Sequence, residues 1–151
     1  MQANNATEHA FEIASHNARD AGVKIDFRLG NAAATPFADD SFDFIYCSAA
    51  FKNFSEPVKA LDEMHRVLRP GGEAVIVDLR KDASPEGMNS YADQSGRSGP
   101  DAWLTKIAFR CMLVKRAYTG DEFTRRAEQS RFRTCRINPG PVGFEVRLTK
   151  R

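Results

Sequence analysis

"RVLRPGGEAVIVDLR", residues 66–80, decides the fold of this chain. A basic helix end runs into Pro-Gly-Gly, and then into branched apolar residues that close on an acid, Asp78. A continuous apolar run of this kind suits a parallel strand buried on both faces; a one-faced strand would alternate. Two parallel strands joined by a helix require the chain to reverse sharply after that helix. Proline stops a helix and glycine takes positive φ freely, so the tripeptide reads as structural punctuation that needs no bound phosphate.

Working outward, "SFDFIYCSAAF" (41–51) is a second continuous apolar run, predicted as a central parallel strand. Between the two runs lies "SEPVKALDEMHRVL" (55–68), a predicted helix with Ser55 as cap and Pro57 in the first turn. Val58, Leu61, Met64, Val67 and Leu68 line one side of it. Further upstream, residues 8–21 read as a helix capped by Thr7 and ended by Gly22, with Ala10, Phe11, Ala14 and Ala18 on one face. "VKIDFRL" (23–29) alternates at the strand period, and residues 30–40 read as a loop.

Downstream, residues 81–101 have the Ser, Gly, Asp and Pro content of a loop or lid, and 102–118 an amphipathic helical pattern. Thr119 and Glu122 have the spacing of a capping box that opens another helix. "FRTCRIN" and "FEVRLTK", separated by "PGPVG", predict an antiparallel strand pair at the carboxyl end. The expected organisation is one α/β domain over 1–151, with 81–118 as a substrate-facing insertion.

Composition narrows the function. Of 151 residues, 42% are hydrophobic and 28% charged, the balance of a globular domain. A net charge of +2 gives no global case for nucleic acid or an anionic membrane. Cys47, Cys111 and Cys135 are widely spaced, which predicts neither a disulfide framework nor a zinc site and points to a reducing compartment. His9 and His16 lack a third ligand, so no metal is expected. A polar N-terminus without a signal peptide, and no apolar run near the ~20 residues of a membrane span, make the expected location cytoplasmic.

The stretch "FRLGNAAATPFADDSFDFIYCSAAFKNFSEPVKALDEMHRVLRPGGEAVIVDLR" resembles class I S-adenosylmethionine-dependent methyltransferases, in the ubiquinone/menaquinone-biosynthesis-like branch (methyltransferase type 11). Several ordered motifs carry the likeness: a Gly-Asp-Ala-x-x-x-Pro-Phe-like loop, a Phe-Asp strand, and a helix ending in Arg-Val-Leu-x-Pro-Gly-Gly. The resemblance implies a Rossmann-like sheet with an antiparallel carboxyl-terminal pair, and S-adenosyl-L-methionine as cofactor for methylating a small molecule. It puts Asn31 where an acid accepts from the adenine amino group; Asn accepts without charge assistance. By the same likeness Ala32 faces the adenine ring, and Cys47, Ser48 and Ala49 lie beside the methionine part. Phe51, Lys52 and Asn53 would face cofactor or substrate; for a phenol or acidic-carbon acceptor, Lys52, Tyr91 or Tyr118 are the candidates for stabilising the anion. No catalytic base is assigned.

From the residues themselves, Lys52 between two aromatics reads equally as ligand-facing or surface, and Asp78 as a ligand or a turn cap. Cys47 reads as a small apolar strand residue. The family's first strand, its acid-x-Gly-x-Gly-x-Gly turn and its second strand with a ribose-binding acid have no counterpart here; Asn5 stands near that acid's place. The resemblance therefore implies a sheet incomplete at its N-terminal side, with weakened or partner-dependent cofactor binding. The alternative is a non-catalytic remnant that serves as an interaction module. Without those strands, 41–49 becomes an open edge. Either strand 23–29 slides beside it or a second copy covers it, and the expected assembly is a homodimer.

Overall fold

The computed structural model describes residues 3–84 and 116–151. All but residues 81–84 of the expected 81–101 lid, most of the 102–118 helix, Tyr91 and Cys111 lie outside the described residues. The chain divides into two compact units, Met1–Gly30 and Asn31–Arg151.

In the first unit, helix α1 runs from Ala3 to Asp20. It starts earlier than expected, so Thr7 lies inside the helix and not at its cap. Its end is as read: Gly22 takes φ +67°, its N–H donates to the Arg19 carbonyl at 3.0 Å, and the Val23 N–H donates to Ala18 at 3.0 Å. That pair of bonds is a Schellman closure, which favours glycine at the left-handed position. Residues 23–29 form no strand, although the alternation is present, and Val23, Ile25 and Leu29 are exposed. A strand exists only as part of a ladder, and none of the described strands pairs with this one.

The second unit is built on β1 (Phe42–Ser48), α2 (Pro57–Val67), β2 (Leu68–Leu79), α3 (Gly120–Gln129), β3 (Arg136–Pro139) and β4 (Gly143–Thr149). The sheet order is β1-β2-β4-β3. β1 and β2 are parallel, joined through α2, while β4 is antiparallel to both β2 and β3. The βαβ unit and the antiparallel end thus match the sequence reading. β1 is an edge strand of this sheet, with Phe44 and Tyr46 at 55% and 60% exposure.

α2 begins with Pro57 at its first position, where a missing N–H costs nothing. Glu56, not Ser55, occupies the cap position, and no side chain closes that end. Ala60, Leu61, Met64 and Val67 turn inward. α3 carries the expected capping box: Glu122 N–H donates to Thr119 Oγ1 at 3.2 Å, and Thr119 N–H donates to Glu122 Oε2 at 2.9 Å. Both helices cover one face of the sheet. The core there joins Leu61 and Met64 to Phe123 and Ala127, over Ala74 and Ile76 of β2 and Phe144, Val146 and Leu148 of β4.

The Pro-Gly-Gly tripeptide is not the stop of α2 that was expected, since the helix ends at Val67 and the tripeptide lies within β2. Pairing jumps from Phe42↔Leu68 to Phe44↔Glu73, so the tripeptide forms a bulge inside β2. Gly71 takes φ +80° there and donates to the Lys150 carbonyl at 2.8 Å. A Cβ on Gly72 would stand 2.9 Å from the Arg69 carbonyl oxygen and 3.0 Å from that of Asp43. One glycine supplies the conformation and the other the close approach.

Candidate functional site

The carboxyl ends of β1 and β2 bring together seven residues singled out from the sequence: Cys47, Ser48, Ala49, Phe51, Lys52, Asn53 and Asp78. Cys47 and Ser48 end β1, Ala49 follows, and Phe51–Asn53 make a short 3-10 turn. Ala49 holds φ +54°, a left-handed conformation that a residue with a Cβ rarely adopts. Ser48, Ala49 and Asn53 are exposed, Cys47 is half-buried, and Phe51 is wholly buried.

Lys52 is buried as well, and so is Asp78 at the end of β2. The Lys52 ammonium donates to Asp78 Oδ1 at 2.8 Å and to the Ala49 carbonyl at 2.6 Å. Asp78 also accepts from the backbone N–H of Lys52 at 2.9 Å and of Leu79 at 2.8 Å. Its place on β2 explains this: residues 74, 76 and 78 share the covered face, so an acid at 78 must be paired to be tolerated. The lysine is therefore a strut that ties the end of one parallel strand to the next. Burial pushes the Cys47 thiol up, and the nearby Asp78 charge adds to this, so the thiol is a poor nucleophile.

Asn31 and Ala32 lie on a separate tight turn. Asn31 Oδ1 accepts from the Ala33 N–H at 2.9 Å, and the Asn31 carbonyl accepts from Ala34 N–H at 3.0 Å. The side-chain oxygen meant for adenine is thus partly engaged in its own turn and retains one lone pair for a ligand. Ala32 lines a cavity of about 280 Å³ with Phe37, Phe42 and Phe44, between this loop, β1 and α2. Asp43 pairs with Arg69 on the surface at 2.8 Å, away from the buried cluster. Tyr118 stacks under the Arg126 guanidinium, 4.2 Å from its ring centre, and edges onto Phe51. No cluster of metal ligands occurs among the described residues.

The pairing of Lys52 with Asp78 escaped the sequence reading, which placed Lys52 on the surface or toward a ligand. A signal was there: each charge interrupts an apolar run at the same end of two parallel strands, and two such interruptions read best as a pair.

Comparison with known proteins agrees with this layout. The family model described as "Methyltransferase domain" matches residues 3–76. Demethylmenaquinone methyltransferase of Paenarthrobacter aurescens is 43% identical over 84 residues, 56% of this chain and 33% of that protein. The ubiquinone/menaquinone biosynthesis C-methyltransferase UbiE of Hahella chejuensis is 39% identical over 70 residues, 46% of this chain and 28% of its own length. The chain thus spans a third or less of either relative. A SAM-dependent methyltransferase from Aquifex aeolicus shares the fold at a TM-score of 0.63 and 21% identity, over 91% of this chain and 62% of that one.

A β1-α2-β2 unit closed by an antiparallel pair, with the exposed residues Ser48 and Ala49 at the carboxyl end of β1, is a Rossmann-like methyltransferase sheet. The match over residues 3–76 and the relatives named above support a class I S-adenosylmethionine-dependent methyltransferase of the ubiquinone/menaquinone-biosynthesis-like branch.

Proposed function

We propose that the chain contributes one wall of an S-adenosylmethionine-dependent methyltransferase site for a small molecule, with a quinone-type ring as the acceptor class that its relatives suggest. The observation that carries this reading is the end of β1, where the exposed residue Ala49 is held at φ +54°, its carbonyl tied to the buried Lys52 strut and its N–H to the Val77 carbonyl. Ligands of open α/β sheets bind at this end of the strands. Asn31 and Ala32 would take the adenine side, and Cys47, Ser48 and Ala49 the methionine side. Asn53 would face the acceptor, while Phe51 and Lys52 support that surface from beneath. When bound, the cofactor supplies an activated methyl group; the chain supplies alignment, which in-line transfer chiefly needs.

These residues fit one side of the cofactor only. Without the Gly-rich turn and the ribose acid, which these 151 residues do not contain, affinity would be weak, and we take the other wall to come from outside them. The open edge of β1 is where a partner chain would add a strand, and a second copy is the partner we favour. Residues 1–151 would then act as one domain of a cytoplasmic homodimer. Among the described residues no helix is long and apolar enough to cross a membrane.

The same open edge favours a second reading, a non-catalytic domain that binds other chains through β1. Isothermal titration with S-adenosylhomocysteine, with product mass spectrometry on demethylated quinols, separates the two. Heat on titration and a product 14 Da heavier support the enzyme; neither, in the isolated chain and in any purified complex, leaves the interaction module.

A further inference from the structure

The loop that carries Asn31 and Ala32 is fastened to α2 by one acid. Glu63 Oε1 accepts from the Thr35 N–H at 2.7 Å, from Thr35 Oγ1 at 2.8 Å and from Arg66 Nη2 at 2.7 Å, while Oε2 accepts from Arg66 Nε at 2.9 Å. Arg66 then reaches along the same loop. Its Nη2 donates to the Phe37 carbonyl at 2.8 Å and its Nη1 to Asp39 Oδ1 at 2.5 Å. The Glu63 side chain is only 13% exposed, so water competes poorly for these bonds.

This is more anchoring than the loop's own fold requires. The Asn31–Ala34 turn closes by itself through its backbone bond, and the core lies on other residues. Thr35 follows that turn directly, so fixing its N–H and hydroxyl fixes the direction in which Asn31 and Ala32 are presented. The Arg66 guanidinium holds the Glu63 carboxyl down at about 2, so the acceptor stays charged at any working pH. A charged acceptor makes these bonds stronger than a neutral one would.

We propose that Glu63, working through Thr35 and together with Arg66, is the positioning residue that presents the 31–34 turn to the adenine of the cofactor. The adenine part rests on the functional reading above; the loop part rests on geometry alone.

Two measurements on the full chain test it. Amide hydrogen exchange in the ligand-free protein reads the Thr35 N–H directly, and titration reads the affinity for S-adenosylhomocysteine. In Glu63→Ala, Thr35 should exchange at least tenfold faster while Ile76 and Val146 keep their protection. Affinity should fall about tenfold at an unchanged stoichiometry. Arg66→Lys keeps the charge but cannot bridge Glu63, Phe37 and Asp39, and should give a smaller loss in both. Should Glu63→Ala fail to fold, Glu63→Gln, which keeps one acceptor oxygen, takes its place. Unchanged Thr35 exchange overturns the clamp, and exchange that rises equally in the core reduces Glu63 to a stability residue. Faster Thr35 exchange with unaltered affinity overturns its link to adenine. A wild-type chain that takes up no S-adenosylhomocysteine, alone and in any purified complex, overturns the functional reading and the adenine part with it, while Thr35 exchange still decides the loop part.

Discussion

Replacing Lys52 by Met keeps most of the aliphatic stem and removes the ammonium alone. Asp78 then loses a bond of 2.8 Å while its side chain stays 4% exposed. It retains two backbone donors, at 2.9 Å and 2.8 Å, so it is under-paired and not orphaned. Breaking a buried ion pair from one side costs about 3–5 kcal/mol, and the retained donors put this case near the lower end, about 3 kcal/mol. With a urea m-value of about 2 kcal/mol/M, the unfolding midpoint should drop by about 1.5 M. Lys52→Met with Asp78→Asn removes the buried charge too, and should recover about 1–2 kcal/mol of that loss. Urea unfolding followed by circular dichroism measures both. A midpoint shift below about 0.5 M, or a double variant no more stable than the single one, would show that the strut contributes little and that the reasoning from burial is wrong.

Gly72→Ala should cost about 2 kcal/mol by thermal unfolding, since its Cβ meets backbone at 2.9 Å and neither strand yields easily. Thr119→Ala opens the capping box of α3 and should cost about 1 kcal/mol while leaving ligand affinity unaltered, as titration would report. Glu63 has its carboxyl lowered from 4.5 to about 2, so its contribution is complete above pH 4.5 and disappears as pH falls through about 2. Wild type and Glu63→Gln should therefore differ in stability at pH 7 and converge toward pH 2 in urea titrations. If the proposed homodimer forms through β1, Tyr46→Lys, which puts a charge on that exposed edge, should shift sedimentation equilibrium from dimer to monomer; a wild-type monomer, or a dimer of unchanged mass in the variant, would remove β1 as an interface.

What could be read from the sequence followed from how local each signal is. Gly22, the Thr119–Glu122 box and the β1-α2-β2 run are set by neighbours within a few residues, and each stands where it was expected. Residues 23–29 show the opposite case. Their alternation is a true strand pattern, but pairing is a property of two segments, and one segment's pattern says nothing of its partner. The site divides the same way. Its position at the end of β1 could be read from the motif order, whereas the Lys52–Asp78 strut joins residues 26 apart in sequence and the Glu63–Thr35 clamp residues 28 apart. Pairs at such separations leave only indirect traces, a charge in an apolar run or a polar residue in a helix that faces a loop.

The two ends of the segment after β2 are pinned together. Arg80 bridges to Tyr118 in parallel, and the Lys81 N–H donates to the Tyr118 carbonyl at 3.1 Å. Whatever lies between residues 82 and 117 is therefore a closed excursion whose stem is fastened by groups outside it. The entropy of closing such an excursion grows only with the logarithm of its length, about 0.6 kcal/mol for each doubling. Descendants of this fold can thus lengthen, shorten or replace that segment at almost no thermodynamic cost to the sheet. Changes of length between these two fastened ends therefore fall on the excursion and spare the sheet from which it leaves.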